Sequence, residues 1–199
     1  MNLVIAAALG LGLGIVTGMP LGVVNVAIVD ASVANRRRYA IGIGIGGALA
    51  DTLHAALAFI GIGQLVTRRP DLVRILAIAA AALIVIYAIV AWRRGRIPNR
   101  THVDATSPRA VLTGFLLTLP NPGALSAWVA VAASLWPGAT LAEAIVLAAG
   151  VGIGSAMWFA LLAHLVSRVP REHRALQIIP RAALVAFVAI AAVGVVRAF

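Results

Sequence analysis

The sequence predicts an all-α membrane protein of six transmembrane helices, built as two inverted three-helix repeats with helices 1 and 4 broken at prolines. Three observations carry that expectation. The 199-residue chain is 62% hydrophobic and 11% charged, with a mean hydropathy of +1.04, against roughly 45–50% apolar and about 25% charged residues in a soluble domain. Charged clusters divide it into six apolar stretches. Two of those stretches are interrupted, at Gly18-Met19-Pro20-Leu21-Gly22 and at Pro120-Asn121-Pro122-Gly123. In hydrocarbon, backbone groups freed by proline find no water, so broken backbone is tolerated only where protein buries it or a cavity wets it. A matched pair of breaks in the two halves of a chain points to a transporter's binding site.

The stretches run approximately over Leu3–Ala34, Tyr39–Val66, Leu72–Trp92, Ala110–Trp136, Leu141–Val166 and Ala175–Phe199. About 20 residues suffice to span a bilayer, so the first is long enough to be interrupted or tilted. The third holds an almost unbroken run of Ala, Ile, Leu and Val over Leu76–Val90. The longest polar connection, residues 93–109, reads as a cytoplasmic loop. The whole chain, 1–199, is thus one transmembrane domain, with repeat 1 over about 1–92 and repeat 2 over about 110–199. The start, Met1-Asn2-Leu3, lacks a positive n-region, so the first stretch reads as a retained helix.

Net charge is +10, and every cation is arginine. No aromatic-and-basic domain is present to read nucleic acid, so the arginines set topology and meet anionic lipid head groups. Twelve of them follow stretches 1, 3 and 5, and four (Arg68, Arg69, Arg74 and Arg197) lie on the other side. The positive-inside rule then places both termini outside the cytoplasm, in the periplasm of a multi-pass inner-membrane protein. With no cysteine there are no disulfides or thiolate metal sites.

An odd number of crossings per half inverts the second copy. Gly42-Ile43-Gly44-Ile45-Gly46-Gly47-Ala48 matches Gly150-Val151-Gly152-Ile153-Gly154-Ser155-Ala156, and the breaks occupy corresponding places in stretches 1 and 4. Gly10, Gly14, Gly18 and Gly22 recur every four residues, as do Gly42 and Gly46, and Gly150 and Gly154. Small residues at that spacing let helix backbones approach closely in lipid, and they also suit a homodimer face.

Polar residues at depth are few. At about 1.5 Å per residue, Asp51 lies roughly 18 Å from the cytoplasmic edge, and Pro20, Asn121 and Ser155 fall within a turn or two of that depth. A carboxyl group there persists only in a cavity, paired or protonated, which suits a group that carries a proton. The plain alternative is a neutral Asp in a packing hydrogen bond. His54, three residues on, either shares that proton or serves the structure. Asn25 and Asn121 each offer a donor and an acceptor at a break, although Asn121 is equally placed to cap the half-helix after it. The ends of half-helices add dipole charge that favours a zwitterion. The expected site is therefore Pro20, Gly22, Asn25, Asp51, His54, Asn121, Pro122, Gly123 and Ser155, with Asp51 as the proton-coupling group and no metal or cofactor.

Together these residues resemble the lysine exporter (LysE/RhtB) family of small bacterial amino-acid exporters, over the whole chain. The resemblance rests on Pro20-Leu21-Gly22-Val23-Val24-Asn25 in helix 1, on the glycine-rich Gly42–Ala50 leading to Asp51 in helix 2, and on Gly114-Phe115 followed by Asn121-Pro122 in helix 4. Val23 stands where a second proline is frequent in the family, and Ala50 where glycine is usual. The resemblance implies proton-driven efflux of an amino acid or similar small solute, with no catalytic residue. Two other classes stand beside it. A lipid-linked molecule or a metal cation is a different cargo for the same fold, though Asp51 and His54 alone are thin ligation for a metal. An intramembrane hydrolase would use Ser155, but His164, nine residues on, falls on the opposite face of its helix.

Overall fold

The computed structural model describes residues 2–20, 22–94, 107–136 and 138–169, together with Ile178, Ala182, Val185, Val188 and Ala189. The expected sixth span, Ala175–Phe199, lies largely outside the described residues, as do most of the loop 93–109 and Leu21. Among the described residues the elements are all helices: α1 (Leu3–Gly18), α2 (Val23–Val33), α3 (Arg37–Phe59), α4 (Ile62–Thr67), α5 (Pro70–Arg94), α6 (Pro108–Thr118), α7 (Pro122–Leu135) and α8 (Leu141–Arg168).

Local chemistry sets the boundaries. The Asn2 side chain accepts the Val4 N–H at 3.0 Å and starts α1. Pro70, Pro108 and Pro122 each open a helix, where the missing N–H has no partner to lose. Thr140 and Glu143 close a capping box on α8: the Glu143 carboxylate accepts from the Thr140 amide at 2.8 Å, and the Thr140 hydroxyl accepts from the Glu143 amide at 3.4 Å. Helix α2 ends with Asn35 in the left-handed region at φ 61°. Its amide donates to the Ser32 carbonyl and the Arg36 amide to the Ala31 carbonyl, which is the Schellman arrangement. Gly61, at φ 85°, ends α3, its amide donating to the Ala58 carbonyl at 3.1 Å. The expected continuous second span, Tyr39–Val66, therefore stops at Phe59, and α4 follows as a separate turn of helix.

Helices α3, α5 and α8 are each long and apolar enough to cross a membrane. The pairs α1 + α2, bent by 69°, and α6 + α7, bent by 70°, bring the number of spans to as many as five among the described residues. Helix α8 packs against α1 and α3, and α3 packs against α6. These contacts are made by backbone. A Cβ on Gly14 would collide with the Val151 carbonyl and the Ser155 amide, and one on Gly114 with the Ile43 carbonyl and the Gly47 amide. Gly154 sits likewise on Leu11 and Ile15, and Gly46 on Val111 and Phe115. Apolar side chains gain little by leaving lipid for one another, so close backbone approach is what holds such helices together. Helix α5 is the exception: only 6% of its membrane-spanning window is buried.

Candidate functional site

Pro20 has no N–H to give to the carbonyl of Val16, and the chain turns there. Asn25, in the first turn of α2, repairs the break. Its Nδ2 donates to the Gly18 carbonyl at 2.8 Å and to the Pro20 carbonyl at 2.6 Å. Its Oδ1 accepts from the indole N–H of Trp158 on α8 at 3.3 Å. Asn25 is 3% exposed, so these bonds do what water cannot do there. Gly18 lies flat against the same indole, with a Cβ position 3.0 Å from Trp158 Cδ1. Pro20 is exposed and Gly22 half-exposed. Gly22 starts α2 without a side-chain cap.

The second break is repaired by different residues. Asn121 Oδ1 accepts from the Gly123 and Ala124 amides at 3.0 and 3.3 Å. Asn121 thus takes the capping role that its position before Pro122 allowed. In an unbroken helix the Gly123 amide would have served the Leu119 carbonyl. That carbonyl instead faces His54 Nε2 of α3 at 3.0 Å. A carbonyl only accepts, so Nε2 carries the proton and Nδ1 is left as the acceptor. Nδ1 is buried without a hydrogen-bond partner among the described residues. Asn121 and Gly123 are exposed and Pro122 is partly buried.

Asp51 and Ser155 meet between the breaks. Ser155, on α8, is 0% exposed. Its hydroxyl donates to the Gly14 carbonyl of α1 at 3.3 Å, and it lies beside the half-buried Asp51 of α3. Thr52 turns away to its own helix, donating to the Ala48 carbonyl at 2.8 Å, and its side chain fills the space left by Gly152. Ser155 and His54 thus serve separate contacts, one with α1 and Asp51, the other with Leu119. Among the described residues no three His, Cys, Asp or Glu side chains gather as a metal site would require.

Of the expected site residues, Asp51 and Ser155 come together, and His54 joins the second break. Asn25 and Asn121 serve their own breaks and share no hydrogen bond among the described residues. Sequence reasoning missed Trp158. An indole N–H in the middle of an apolar stretch needs a partner, and that need was the available signal.

Residues 15–197 match the family model for the LysE type translocator. Comparison with curated proteins and with solved structures gives no match. The match covers both proline breaks, Asp51 and the candidate spans from residue 15 of α1 onward, and on it the chain belongs to the LysE type translocator family.

Proposed function

We propose that this translocator exports an amino acid or a similarly small, neutral or zwitterionic solute across the bacterial inner membrane, driven by the proton gradient through alternating access. Family membership makes it a multi-pass membrane exporter of small solutes. The observation that carries the finer reading is the pair of spans bent by 69° and 70° at their prolines, with Asp51 on the helix between them. Half-helix ends at such bends present dipoles and backbone groups to a solute near the midplane.

The parts divide as follows. At the second break the α7 amides are already taken by Asn121 Oδ1. At the first, α2 starts at Gly22 with no side-chain cap, so the solute's carboxylate is assigned to the Pro20–Gly22 side. Its amino group is assigned to the acceptors beside Asp51 and His54, near Asn121, Pro122 and Gly123. Asp51 takes up a proton and releases it during the cycle.

The packing among the described helices supports an arrangement of two inverted repeats. Gly14 and Gly114 each stand six residues before the proline of their break, Pro20 or Pro120. Gly14 rests on Val151 and Ser155, and Gly114 on Ile43 and Gly47, which are matching positions in the two glycine-rich runs. The α1–α8 and α6–α3 contacts are thus the same contact in the two halves. The second copy carries Phe159 where the first carries Asp51, so only one half brings a carboxyl. The arginine distribution supports both termini lying outside the cytoplasm.

The test is counterflow in proteoliposomes with a panel of labelled amino acids, with and without a pH gradient. At least one amino acid is expected to exchange, and Asp51→Asn to exchange without gradient-driven accumulation. No exchange of any amino acid, or full accumulation by Asp51→Asn, removes the reading.

A further inference from the structure

We propose that the arginine-rich end of the bundle carries a site for the phosphate of an anionic phospholipid, built from Ser32, Arg36 and His164 where α2, α3 and α8 meet. It lies apart from the bends and does not depend on which solute is carried.

Buried polar groups nearly always find partners. Among the described residues four buried side-chain atoms do not: Ser32 Oγ, Arg36 Nε, His54 Nδ1 and His164 Nδ1. His54 belongs to the second break. The other three belong to one end of the bundle, and the packing fixes their level. A Cβ on Gly44 of α3 would meet Phe159 Cβ of α8 at 2.6 Å and Ile28 Cδ1 of α2 at 3.5 Å, so these three residues share one layer. One helical turn further stand Ser32, Ala40 and Ala163, with His164 next to Ala163. Arg36 caps α3 one turn beyond Ala40.

The side chains are not placed as ordinary packing would place them. Thr17, Thr52, Thr113, Thr118 and Ser134 each donate to the carbonyl four residues back in their own helix. Ser32, 4% exposed, leaves the Ile28 carbonyl unused, and its hydroxyl has no partner. The Arg36 guanidinium is held in place by Tyr39, its Cζ 4.1 Å from the ring centroid. The Tyr39 hydroxyl in turn stands 3.5 Å from Thr113 Oγ1 of α6.

The chemistry of the three atoms names the ligand. A serine hydroxyl and an arginine Nε–H donate, and so does Nδ1 of a histidine that carries its proton there. A phosphate offers acceptor oxygens alone, and a guanidinium already held in one pose loses little freedom in binding it. Charge agrees: Arg36, Arg37, Arg38 and Arg168 gather at this end, against the single carboxylate Asp30, which has a contact of its own. The apolar runs of α2 and α8 stop at this level, at Val33 and Val166, where lipid phosphates lie. Basic pockets between spans at that depth take anionic head groups.

The experiment is native mass spectrometry of the full chain titrated with phosphatidylglycerol or phosphatidylcholine of the same acyl chains. The parent is expected to favour phosphatidylglycerol by about tenfold or more. Ser32→Ala, which changes no charge, should weaken phosphatidylglycerol binding by about tenfold, and Arg36→Gln by at least as much, the factor carried by a hydrogen bond to a charged group. Arg69→Gln, at the opposite end, should bind both lipids as the parent does. Thermal unfolding in nanodiscs separates binding from folding. In phosphatidylcholine, Ser32→Ala should be at least as stable as the parent, because it removes a buried hydroxyl that has no partner. In phosphatidylglycerol it should be less stable.

Equal affinity of the parent for the two lipids overturns the site. So does a Ser32→Ala protein that binds phosphatidylglycerol as the parent does, since the arginines then act only as a diffuse charged surface. A Ser32→Ala protein destabilised equally in both lipids assigns Ser32 to packing and overturns its role. Displacement of phosphatidylglycerol by millimolar inorganic phosphate makes the ligand a soluble phosphate and overturns the lipid.

Discussion

Replacing Asn25 by Leu keeps the side chain's bulk and removes three hydrogen bonds: to the Gly18 carbonyl at 2.8 Å, to the Pro20 carbonyl at 2.6 Å, and from the Trp158 indole at 3.3 Å. Hydrogen bonds inside a membrane bundle average about 0.6 kcal/mol and reach about 1.7, so three sum to roughly 2 and at most roughly 5 kcal/mol. Asn25 is 3% exposed, and two carbonyls left without donors in that setting hold the loss at or above the lower figure. A loss of about 2 kcal/mol is roughly thirtyfold in the unfolding equilibrium. The assay is reversible SDS unfolding in mixed bicelles, followed by far-ultraviolet circular dichroism. Trp158→Phe, which removes one of the three bonds, is the internal scale and should lose about 0.6 kcal/mol. If Asn25→Leu loses less than about 0.5 kcal/mol, or no more than Trp158→Phe, then Asn25 does not hold the first bend together.

Glycine substitutions should separate by position. Gly14→Ala and Gly114→Ala drive a methyl group into backbone and should each cost about 1–3 kcal/mol. Gly12→Ala meets nothing within 4 Å and should be neutral or up to about 1 kcal/mol stabilising; the same unfolding assay reads all three. His54→Phe leaves the Leu119 carbonyl without its donor and should lower stability by about 0.6–1.7 kcal/mol. His54→Gln, whose amide nitrogen reaches about as far as Nε2, should recover most of that loss. In transport, Asp51→Asn should retain solute exchange and lose its dependence on the pH gradient, measured as accumulation ratio against imposed pH difference.

The two bends were legible because proline acts locally: the residue that breaks the helix is itself visible in the sequence. Asn121 before Pro122 was legible for the same reason, since a cap and its amides are neighbours in sequence. The glycine stripes announced close packing, and Gly14 and Gly154 do meet backbone. The remainder depended on long-range partners. That Asn25 would also take the Trp158 indole follows from a contact across 133 residues. The His54 bond to Leu119 likewise needs α3 placed beside the end of α6. The end of α3 at Phe59 was not legible because Gly61 sits inside an apolar run, and only its positive φ shows that it stops a helix.

The glycine contacts tie helices across the boundary between the halves of the sequence. Helix α1 comes from the first half and is keyed to α8 of the second, and α3 of the first is keyed to α6 of the second. Swinging one half past the other would shear main chain against main chain at both places, with no flexible side chain to absorb the strain. The four keyed helices are better regarded as a keel drawn equally from both halves. The parts joined to it only through bends are the short arms α2 and α7, whose hinges are fastened by Asn25 on one side and by Asn121 and His54 on the other.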